Sequence, residues 1–461
     1  MILDYEYYLF LLKFKHIKIY IDKMKILKFG GTSVGTAERI KALVQLVSSS
    51  DKKIVVLSAM SGTTNALVDI CNAVFKKDTQ RANILIRELE ATYLDVVEEL
   101  FTSAEFKNKG IDLIKNHFNY IQSFTLDLFT VNEEKAILAQ GELLSTALFY
   151  FHLQEINIAC TLLPALKFMR LDVNDEPQMD YIEKHLFLEL QKYPTTHLFI
   201  TQGYICRNDF GEIDNLKRGG SDYTASIIGA SIHAEEIQIW TDIDGMHNND
   251  PRIVSKTHPI HELSFDEAAE LAYFGAKILH PTCILPAQKR NIPVLLKNTI
   301  HPEALGTRIS NINAMEGIKA VAAKDGICAI NIKSDRMLLA HGFLKLVFEI
   351  FERYKTSIDM VTTSEIAVSL TIDNIKFLDE IKQELEEFSK VEIDAEQTII
   401  CIVGNLPKDK SGYAFKSLEA LKNIPLRMVS YGGSPNNISV LINSVHKKEA
   451  LTALNKGLFG Y

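Results

Sequence analysis

Residues 25–40, KILKFGGTSVGTAERI, combine residue types that together can bind a phosphate group. The first five are typical of a short buried strand, which Gly30 and Gly31 end, and an apolar helical face then begins at Ile40. Backbone N–H groups at a glycine turn and a helix N-terminus can surround an anion, and Lys28 can place an ammonium beside it. The stretch predicts a phosphate site, with an ordinary strand-to-helix turn as the alternative.

A second polar cluster stands at the start of a predicted helix in LKRGGSDYTASIIGASI, residues 216–232. Arginine suits bidentate recognition of a carboxylate or a phosphate, and the neighbouring aspartate can shape the site or hold a metal. The cluster therefore predicts an anion-binding site. Its members are Arg218, Gly219, Gly220, Ser221 and Asp222.

Two further stretches contribute polar groups. The buried-strand pattern of residues 54–57 ends in a small-residue loop that contains Thr64, at the strand end where α/β sheets bind ligands. Glu142 lies on a predicted helix that starts near Asn132. A solvated helix face is the alternative reading for Glu142, but the adjacent Gly141 indicates that another segment approaches closely.

The stretch EIQIWTDIDGMHNNDPR, residues 236–252, predicts another strand with polar residues after it. Thr241 and Asp242 lie just past that strand, and Arg252 follows a turn. A helix with a capping box begins at Ser264, and Lys277 lies near its end. Lysine, arginine, aspartate and threonine on loops at strand ends suit phosphoryl transfer, in which positioning and charge neutralisation dominate.

The elements that position these residues divide the 461-residue chain into several domains. Residues 24–308 alternate strands and helices, which predicts an α/β domain with a mainly parallel sheet. Residues 317–390 and 391–461 form two similar β-α-β-β-α runs, which predict paired ferredoxin-like α+β modules. A strand at 318–323 is expected to complete the second module.

The amino-acid composition favours a globular protein and argues against a nucleic-acid-binding one. A hydrophobic fraction of 47% and a charged fraction of 23% are typical of a globular protein, and a net charge of −8 argues against a nucleic-acid partner. Six scattered cysteines without a C-x-x-C pair indicate reduced thiols in the cytoplasm, and no segment is long and apolar enough to predict a membrane span. Residues 1–23 are interpreted as an extension before a start at Met24; a short packed strand or helix is the alternative.

The motifs together resemble those of the aspartate kinases in the amino acid kinase family, of the monofunctional, lysine-sensitive type. The resemblance spans residues 24–461 and implies a three-layer amino acid kinase sandwich followed by two ACT modules. No dehydrogenase motif follows the kinase region. The motifs are KFGGTSVG, SAMSGTTN, QGELLST, ITQG, KRGGSDYTA, WTDIDG, DPR and FGAKILHP.

The resemblance implies transfer of a phosphoryl group from Mg-ATP to the β-carboxylate of L-aspartate, the first step towards lysine, threonine and methionine. It implies Lys28 and Asp222 as catalytic residues and Mg²⁺ on phosphate oxygens, with no protein metal site. The implied substrate residues are Thr64, Glu142, Arg218, Gly219, Gly220 and Ser221. The implied nucleotide residues are Lys28, Phe29, Gly30, Gly31, Thr241, Asp242, His247, Arg252, Lys277 and Ile278. His247 stands where the family pattern has tyrosine.

The first ACT module resembles that of lysine-inhibited members, with threonine or no effector as alternatives. Leu339 and Ala340 depart from the polar pair that the family pattern has there. The resemblance also implies a homodimer or homotetramer assembled through the ACT modules. The implied effector residues are Met337, Leu338, Leu339, Ala340, Phe343, Leu344, Ile358, Asp359, Ser364 and Glu365.

Two other functions fit parts of the sequence. A kinase for another carboxylate or carbamate, such as acetylglutamate, would share the fold, but the ACT pair and SDYTA argue against it. A catalytically silent amino-acid sensor would use the ACT pair alone. The joint presence of Lys28, Glu142, Arg218 and Asp222 argues against a silent protein.

Overall fold

The computed structural model describes residues 24–125, 129–216, 219–275, 279–311, 315–334 and 341–460. The N-terminal extension, residues 1–23, lies outside the described residues. The chain divides into two compact units. The described residues of the first unit lie within 24–245 and 279–311, and those of the second lie within 246–275 and 315–460, with the gaps given above. Each unit is described separately below.

Most strands form where the sequence predicts buried or alternating apolar runs. The strands are β1 (Lys25–Phe29), β2 (Lys53–Leu57), β3 (Thr161–Leu163), β4 (Leu198–Gln202), β5 (Ile205–Arg207), β6 (Ile213–Asn215), β7 (Glu236–Thr241), β8 (Glu262–Ser264), β9 (Val294–Asn298), β10 (Thr307–Ser310), β11 (Gly317–Lys333), β12 (Val361–Thr363), β13 (Ala367–Ile372), β14 (Lys390–Asn405), β15 (Leu426–Tyr431) and β16 (Asn437–Asn443).

The α-helices alternate with these strands in the first unit and flank the sheet in the second. They are α1 (Ala37–Val47), α2 (Thr63–Phe75), α3 (Thr79–Leu100), α4 (Ala104–Ser123), α5 (Val131–Leu138), α6 (Gln140–Glu155), α7 (Met179–Gln191), α8 (Gly220–Ile232), α9 (Phe265–Tyr273), α10 (Leu285–Lys289), α11 (Phe343–Arg353), α12 (Leu378–Glu386), α13 (Tyr413–Ala420) and α14 (Lys447–Leu454). Among the described helices, none is both long and apolar enough to cross a membrane.

The first unit is built on a mainly parallel sheet in the order β3-β4-β2-β1-β7-β9-β10, in which only the β9–β10 pair is antiparallel. The residues of β2 and β4 are buried throughout, as expected for strands covered on both faces. Phe29, Leu57, Gln202 and Trp240 stand in register at the carboxyl ends of the four central strands. These ends form one edge of the sheet, where α/β proteins bind ligands.

The second unit is built on a six-stranded antiparallel sheet in the order β12-β13-β11-β14-β16-β15. This sheet confirms the prediction of ferredoxin-like modules after an α/β domain. The strand predicted at 318–323 does not end there but joins the following strand of the first module, and the two form one continuous strand, β11 (Gly317–Lys333). Register shifts near Lys324 and Ile327 mark the join, because a bulge lets one strand serve both modules without breaking the ladder with β14.

Candidate active site

A cleft of about 480 Å³ opens at the carboxyl edge of the parallel sheet. It lies entirely within the first unit and is lined by backbone and side chains that follow β1 and β2, together with the start of α8. Many of the residues predicted for substrate and catalysis meet here. The lining residues are Lys28, Gly31, Thr32, Ser58, Ala59, Met60, Ser61, Gly62, Thr64, Asn65, Glu142, Tyr204, Gly219, Gly220, Ser221 and Asp222.

Lys28 and Asp222 form an ion pair at the floor of this cleft. The Lys28 Nζ atom lies 2.7 Å from Asp222 Oδ1. This distance is that of an ion pair, although the angles between the two groups are not those of a hydrogen bond. Both side chains are mostly buried, with 11% and 13% of their areas exposed. Strand β1 fixes the lysine and the first turn of α8 fixes the aspartate, so the ammonium is held where an incoming anion can share it.

The glycine turn after β1 is a short 3-10 helix, Gly31–Val34, rather than the direct start of a long helix. Its backbone is joined to the loop after β2, because the Ser61 N–H donates to the Gly31 carbonyl at 3.1 Å. Helix α1 begins only after Thr36, whose hydroxyl accepts from the Arg39 N–H. Gly31 and the loop after β2 therefore form the cleft wall jointly.

Glu142 is buried on α6, with 4% of the residue exposed, so it does not belong to a solvated helix face. Its Oε1 accepts a hydrogen bond from the backbone N–H of Ala59 at 3.1 Å, while its buried Oε2 has no partner among the described residues. Burial raises the pKa of this carboxyl from 4.5 to about 7. A carboxylate with one unsatisfied oxygen in a cleft is suited to a cationic ligand.

The close approach that Gly141 indicated comes from the same loop. A Cβ atom on Gly141 would lie 2.8 Å from the Cβ atom of Ala59 and 3.1 Å from the Cγ2 atom of Thr63. Thr63 in turn shares a 3.0 Å hydrogen bond with the buried Tyr93 hydroxyl. The missing side chain at Gly141 thus lets the loop reach Glu142.

The N-terminus of α8 supplies backbone donors to the opposite wall. Gly219 precedes the helix in the left-handed conformation, with φ of 76°, and Gly220, Ser221 and Asp222 form its first turn. The N–H groups at a helix start have no intrahelical acceptor and favour an anion. Arg218, the predicted guanidinium of this cluster, lies outside the described residues.

Several of the predicted nucleotide residues do not line this cleft, in contrast to most of the described residues predicted for substrate and catalysis. Phe29 is fully buried and stacks on Trp240 with ring centroids 5.8 Å apart, so only its backbone is available to a ligand. Thr241 is the last residue of β7, and its hydroxyl donates to Asp242 Oδ1 at 3.1 Å. Their role in nucleotide binding stays a prediction.

The remaining predicted nucleotide residues belong to the second unit or lie outside the described residues. His247 Nδ1 lies 3.0 Å from the Thr257 hydroxyl, and the exposed Arg252 is paired with Asp250. Lys277 and Ile278 lie outside the described residues.

Tyr204 is a cleft residue that sequence reasoning missed. It has an unusual φ of 65°, and its ring occupies the space that a side chain at Gly220 would need. Burial, together with the Glu142 charge, raises the pKa of its hydroxyl to about 12, so the phenol stays protonated. The Gly203 that precedes Tyr204 was a weak signal for a sharp turn; only the fold shows where the ring goes.

Comparison with known proteins decides the family. The model of the amino acid kinase family matches residues 23–298, and an ACT domain model matches residues 400–458. Aspartokinase 3 of Arabidopsis thaliana is 33% identical over 94% of this chain and 81% of its own length. The lysine-sensitive aspartokinase 3 of Escherichia coli is 30% identical over 95% of this chain and its full length. The chain belongs to the aspartokinases of the amino acid kinase family.

Solved aspartokinases also share the fold along 95% of this chain. E. coli aspartokinase III in complex with aspartate and ADP, in its R-state, gives a TM-score of 0.82 at 30% identity and covers 95% of this chain and 100% of that one. The same enzyme in complex with lysine and aspartate, in its T-state, gives 0.78 at 30% identity over 95% of this chain and 99% of that one. The predicted fold class is therefore confirmed.

The described members of the effector set predicted for this aspartokinase lie in the second unit. Phe343 and Leu344 begin α11, Ile358 and Asp359 precede β12, and Ser364 with Glu365 follow it. The Asp359 side chain has no exposed area, whereas Glu365 is exposed. Met337, Leu338, Leu339 and Ala340 lie outside the described residues.

Proposed function

We propose that this aspartokinase transfers the γ-phosphoryl group of Mg-ATP to the β-carboxylate of L-aspartate in the cleft of its first unit. The observation that carries the proposal is the buried Glu142 carboxylate. One of its oxygens lacks a partner among the described residues, and it lies in the cleft that also holds the Lys28–Asp222 pair. The substrate ammonium satisfies that oxygen, and binding then removes the cost of an uncompensated buried charge.

The remaining substrate contacts follow from the opposite wall. The N–H groups at the start of α8 and the Ser221 hydroxyl favour a carboxylate, and Thr64 lines the cleft next to the loop after β2. Arg218 is the proposed partner of the α-carboxylate, since its sequence position directly precedes Gly219. With the ammonium at Glu142, these groups orient the β-carboxylate towards the ATP site.

The proposed chemistry needs no strong general base, because a carboxylate is already a nucleophile. The main task of the protein is to bring two anions together and neutralise charge on the transferred phosphoryl group. Lys28 supplies the positive charge, the backbone of Gly30 and Gly31 supplies donors, and Asp222 holds the lysine in place. The described residues contain no cluster of three or more acidic, histidine or cysteine side chains for a resident metal, so Mg²⁺ is proposed to enter on ATP phosphates.

We further propose that the ACT modules make the enzyme sensitive to L-lysine and that it supplies a route to lysine, threonine and methionine. The E. coli relative crystallised with lysine shares the fold along 95% of this chain, which supports the proposal. Assembly through the ACT modules into a dimer or tetramer, and the domain bounds 24–308, 317–390 and 391–461, belong to the same proposal.

The test is ADP release from Mg-ATP and L-aspartate, measured with and without millimolar L-lysine. Aspartate-dependent turnover that lysine suppresses is the expected result. Turnover indifferent to lysine would retain the kinase and require a new effector, with threonine tested next. A folded chain that binds amino acids but releases no ADP with aspartate would favour the silent sensor.

A further inference from the structure

Helix α9 in the second unit contacts the regulatory sheet through three polar side chains spaced three residues apart. At this spacing the three side chains lie along one side of the helix. They contact strands β11 and β16 and Asp359, which lies two residues before β12. The helix therefore joins elements from both ACT modules. The contacts are Glu267 with Lys319 at 2.9 Å, Glu270 with Asn437 at 2.5 Å and Tyr273 with Asp359 at 2.5 Å.

The third contact belongs to a cluster with one unbalanced negative charge. Lys324 Nζ lies 2.9 Å from Asp359 Oδ1 and 2.9 Å from Asp373 Oδ2, and 4.2 Å from the centre of the Tyr273 ring. The Tyr273 hydroxyl donates to the same Asp359 Oδ1. The single positive charge of Lys324 is therefore shared between the carboxylates of Asp359 and Asp373.

Asp359 also has an unused oxygen. Its side chain has no exposed area, and its buried Oδ2 has no partner among the described residues. A buried carboxylate oxygen without a donor is costly, so the cluster is suited to a second cation. A primary ammonium, with three donors and one charge, satisfies both requirements.

The end of α9 is held against the same strand that carries Lys324. Gly275 has φ of 134°, and a Cβ atom there would lie 2.3 Å from the carbonyl oxygen of Ala323. Only glycine allows this approach, and Ala323 is the residue before Lys324. The backbone beside Lys324 is therefore in direct contact with the end of α9, two residues before Lys277 in the sequence.

We propose that Tyr273 reports the occupancy of an ammonium site at Asp359 Oδ2 to helix α9. A bound ammonium draws the carboxylate towards itself and repels Lys324, so Asp359 Oδ1 leaves the Tyr273 hydroxyl and the end of α9 is released. The inference rests on the proposed regulation by an amino acid, and it adds the residue through which the signal reaches the helix.

The test uses Tyr273→Phe, which keeps the ring beside Lys324 and removes only the hydroxyl. Tyr354→Phe is the matched control, because Tyr354 donates at 2.6 Å to Glu384 in the same module without contacting Asp359. Without lysine, Tyr354→Phe is expected to turn over within about twofold of the wild type. Tyr273→Phe lacks the bond that lysine is proposed to break, so it is expected to resemble the lysine-inhibited enzyme and to turn over at least about tenfold more slowly. It is still expected to bind lysine in calorimetry, but its remaining turnover should no longer respond to lysine.

Hydrogen exchange of the full-length protein gives a readout that does not depend on kinase activity. Lysine is expected to raise amide exchange in residues 265–275 of the wild type and of Tyr354→Phe, but not of Tyr273→Phe. Unchanged lysine inhibition and exchange in Tyr273→Phe would overturn the inference and leave the proposed kinase intact.

The remaining outcomes separate the two proposals. A wild type that lacks aspartate-dependent turnover but shows the exchange change would overturn the proposed activity and support the inference. If neither lysine nor threonine changes exchange in α9 of the wild type, the inference is wrong, whatever the kinase activity. Asp359→Asn keeps an acceptor for Tyr273 but removes the charge, and is expected to abolish the lysine-dependent exchange.

Discussion

The Ala59 N–H donates to one of the two carboxylate oxygens of Glu142, at 3.1 Å, while the other oxygen is buried and has no partner in the part of the chain that the structure describes. The two residues are 83 positions apart, on the loop after β2 and on α6. The single backbone bond orients the carboxylate, and the free oxygen gives it an affinity for cations that a fully paired carboxylate lacks.

Replacement of Glu142 by glutamine removes the charge that the substrate ammonium is proposed to meet. We expect the KM for aspartate to rise at least about 10-fold, while the KM for ATP changes little, because loss of a charged hydrogen bond costs about 1.5–3 kcal/mol. Steady-state kinetics with each substrate varied in turn measures both values. An unchanged KM for aspartate in a folded variant would place the ammonium elsewhere.

The raised pKa of Glu142 also links stability to pH. The folded chain binds this proton more tightly than the unfolded chain, so the free energy of unfolding of the ligand-free enzyme falls as pH rises from about 4.5 to about 7. The contribution is on the order of 3 kcal/mol, at about 1.4 kcal/mol per pKa unit. Urea unfolding across this range should show a smaller decrease in Glu142→Gln than in the wild type.

The same titration predicts how pH affects substrate binding. An ammonium at Glu142 favours the ionised carboxylate, so aspartate binding should weaken as pH falls below about 7. Calorimetry at several pH values, in buffers of different ionisation enthalpy, is expected to detect proton release on binding near pH 6. Proton uptake, or no exchange of protons, would contradict the assignment.

Lys28→Met should lower kcat by about 10²-fold or more, because the Lys28 ammonium is proposed to neutralise the transferred phosphoryl group. Lys25→Met is the matched control: it lies on the same strand, and its partner Asp51 is away from the cleft, with Nζ and Oδ2 3.3 Å apart. Turnover of the control should stay near that of the wild type. A folded Lys28→Met enzyme with near-normal kcat would refute the role of Lys28.

Gly141→Ala tests whether the loop must lie close to α6. The added methyl group would lie 2.8 Å from the Cβ atom of Ala59, so the loop must move and the Ala59 bond to Glu142 must lengthen. We expect a loss of about 1–3 kcal/mol in unfolding free energy and weaker aspartate binding. Gly433→Ala has open space around the new methyl group and serves as the control in denaturant unfolding.

The sequence alone predicted most strands and helices and the residue types that suit phosphoryl transfer. Apolar runs such as residues 54–57 indicated buried strands, and the glycines and small residues after them indicated the edge where ligands bind. The two similar β-α-β-β-α runs that begin at residue 317 distinguished the ferredoxin-like modules from the α/β region before them. Local patterns suffice for these features, because the spacing of apolar residues and the turn residues between them indicate strands and helices from neighbouring positions.

Only the tertiary structure decided which distant residues meet and which charges remain unbalanced. The burial of Glu142, the position of Tyr204 and the continuity of β11 each depend on packing between segments far apart in sequence. The same holds for Asp359, whose partners Lys324 and Tyr273 come from two other elements. The electrostatic environment of a carboxylate is set by burial and by the donors around it, and neither is encoded in its local sequence.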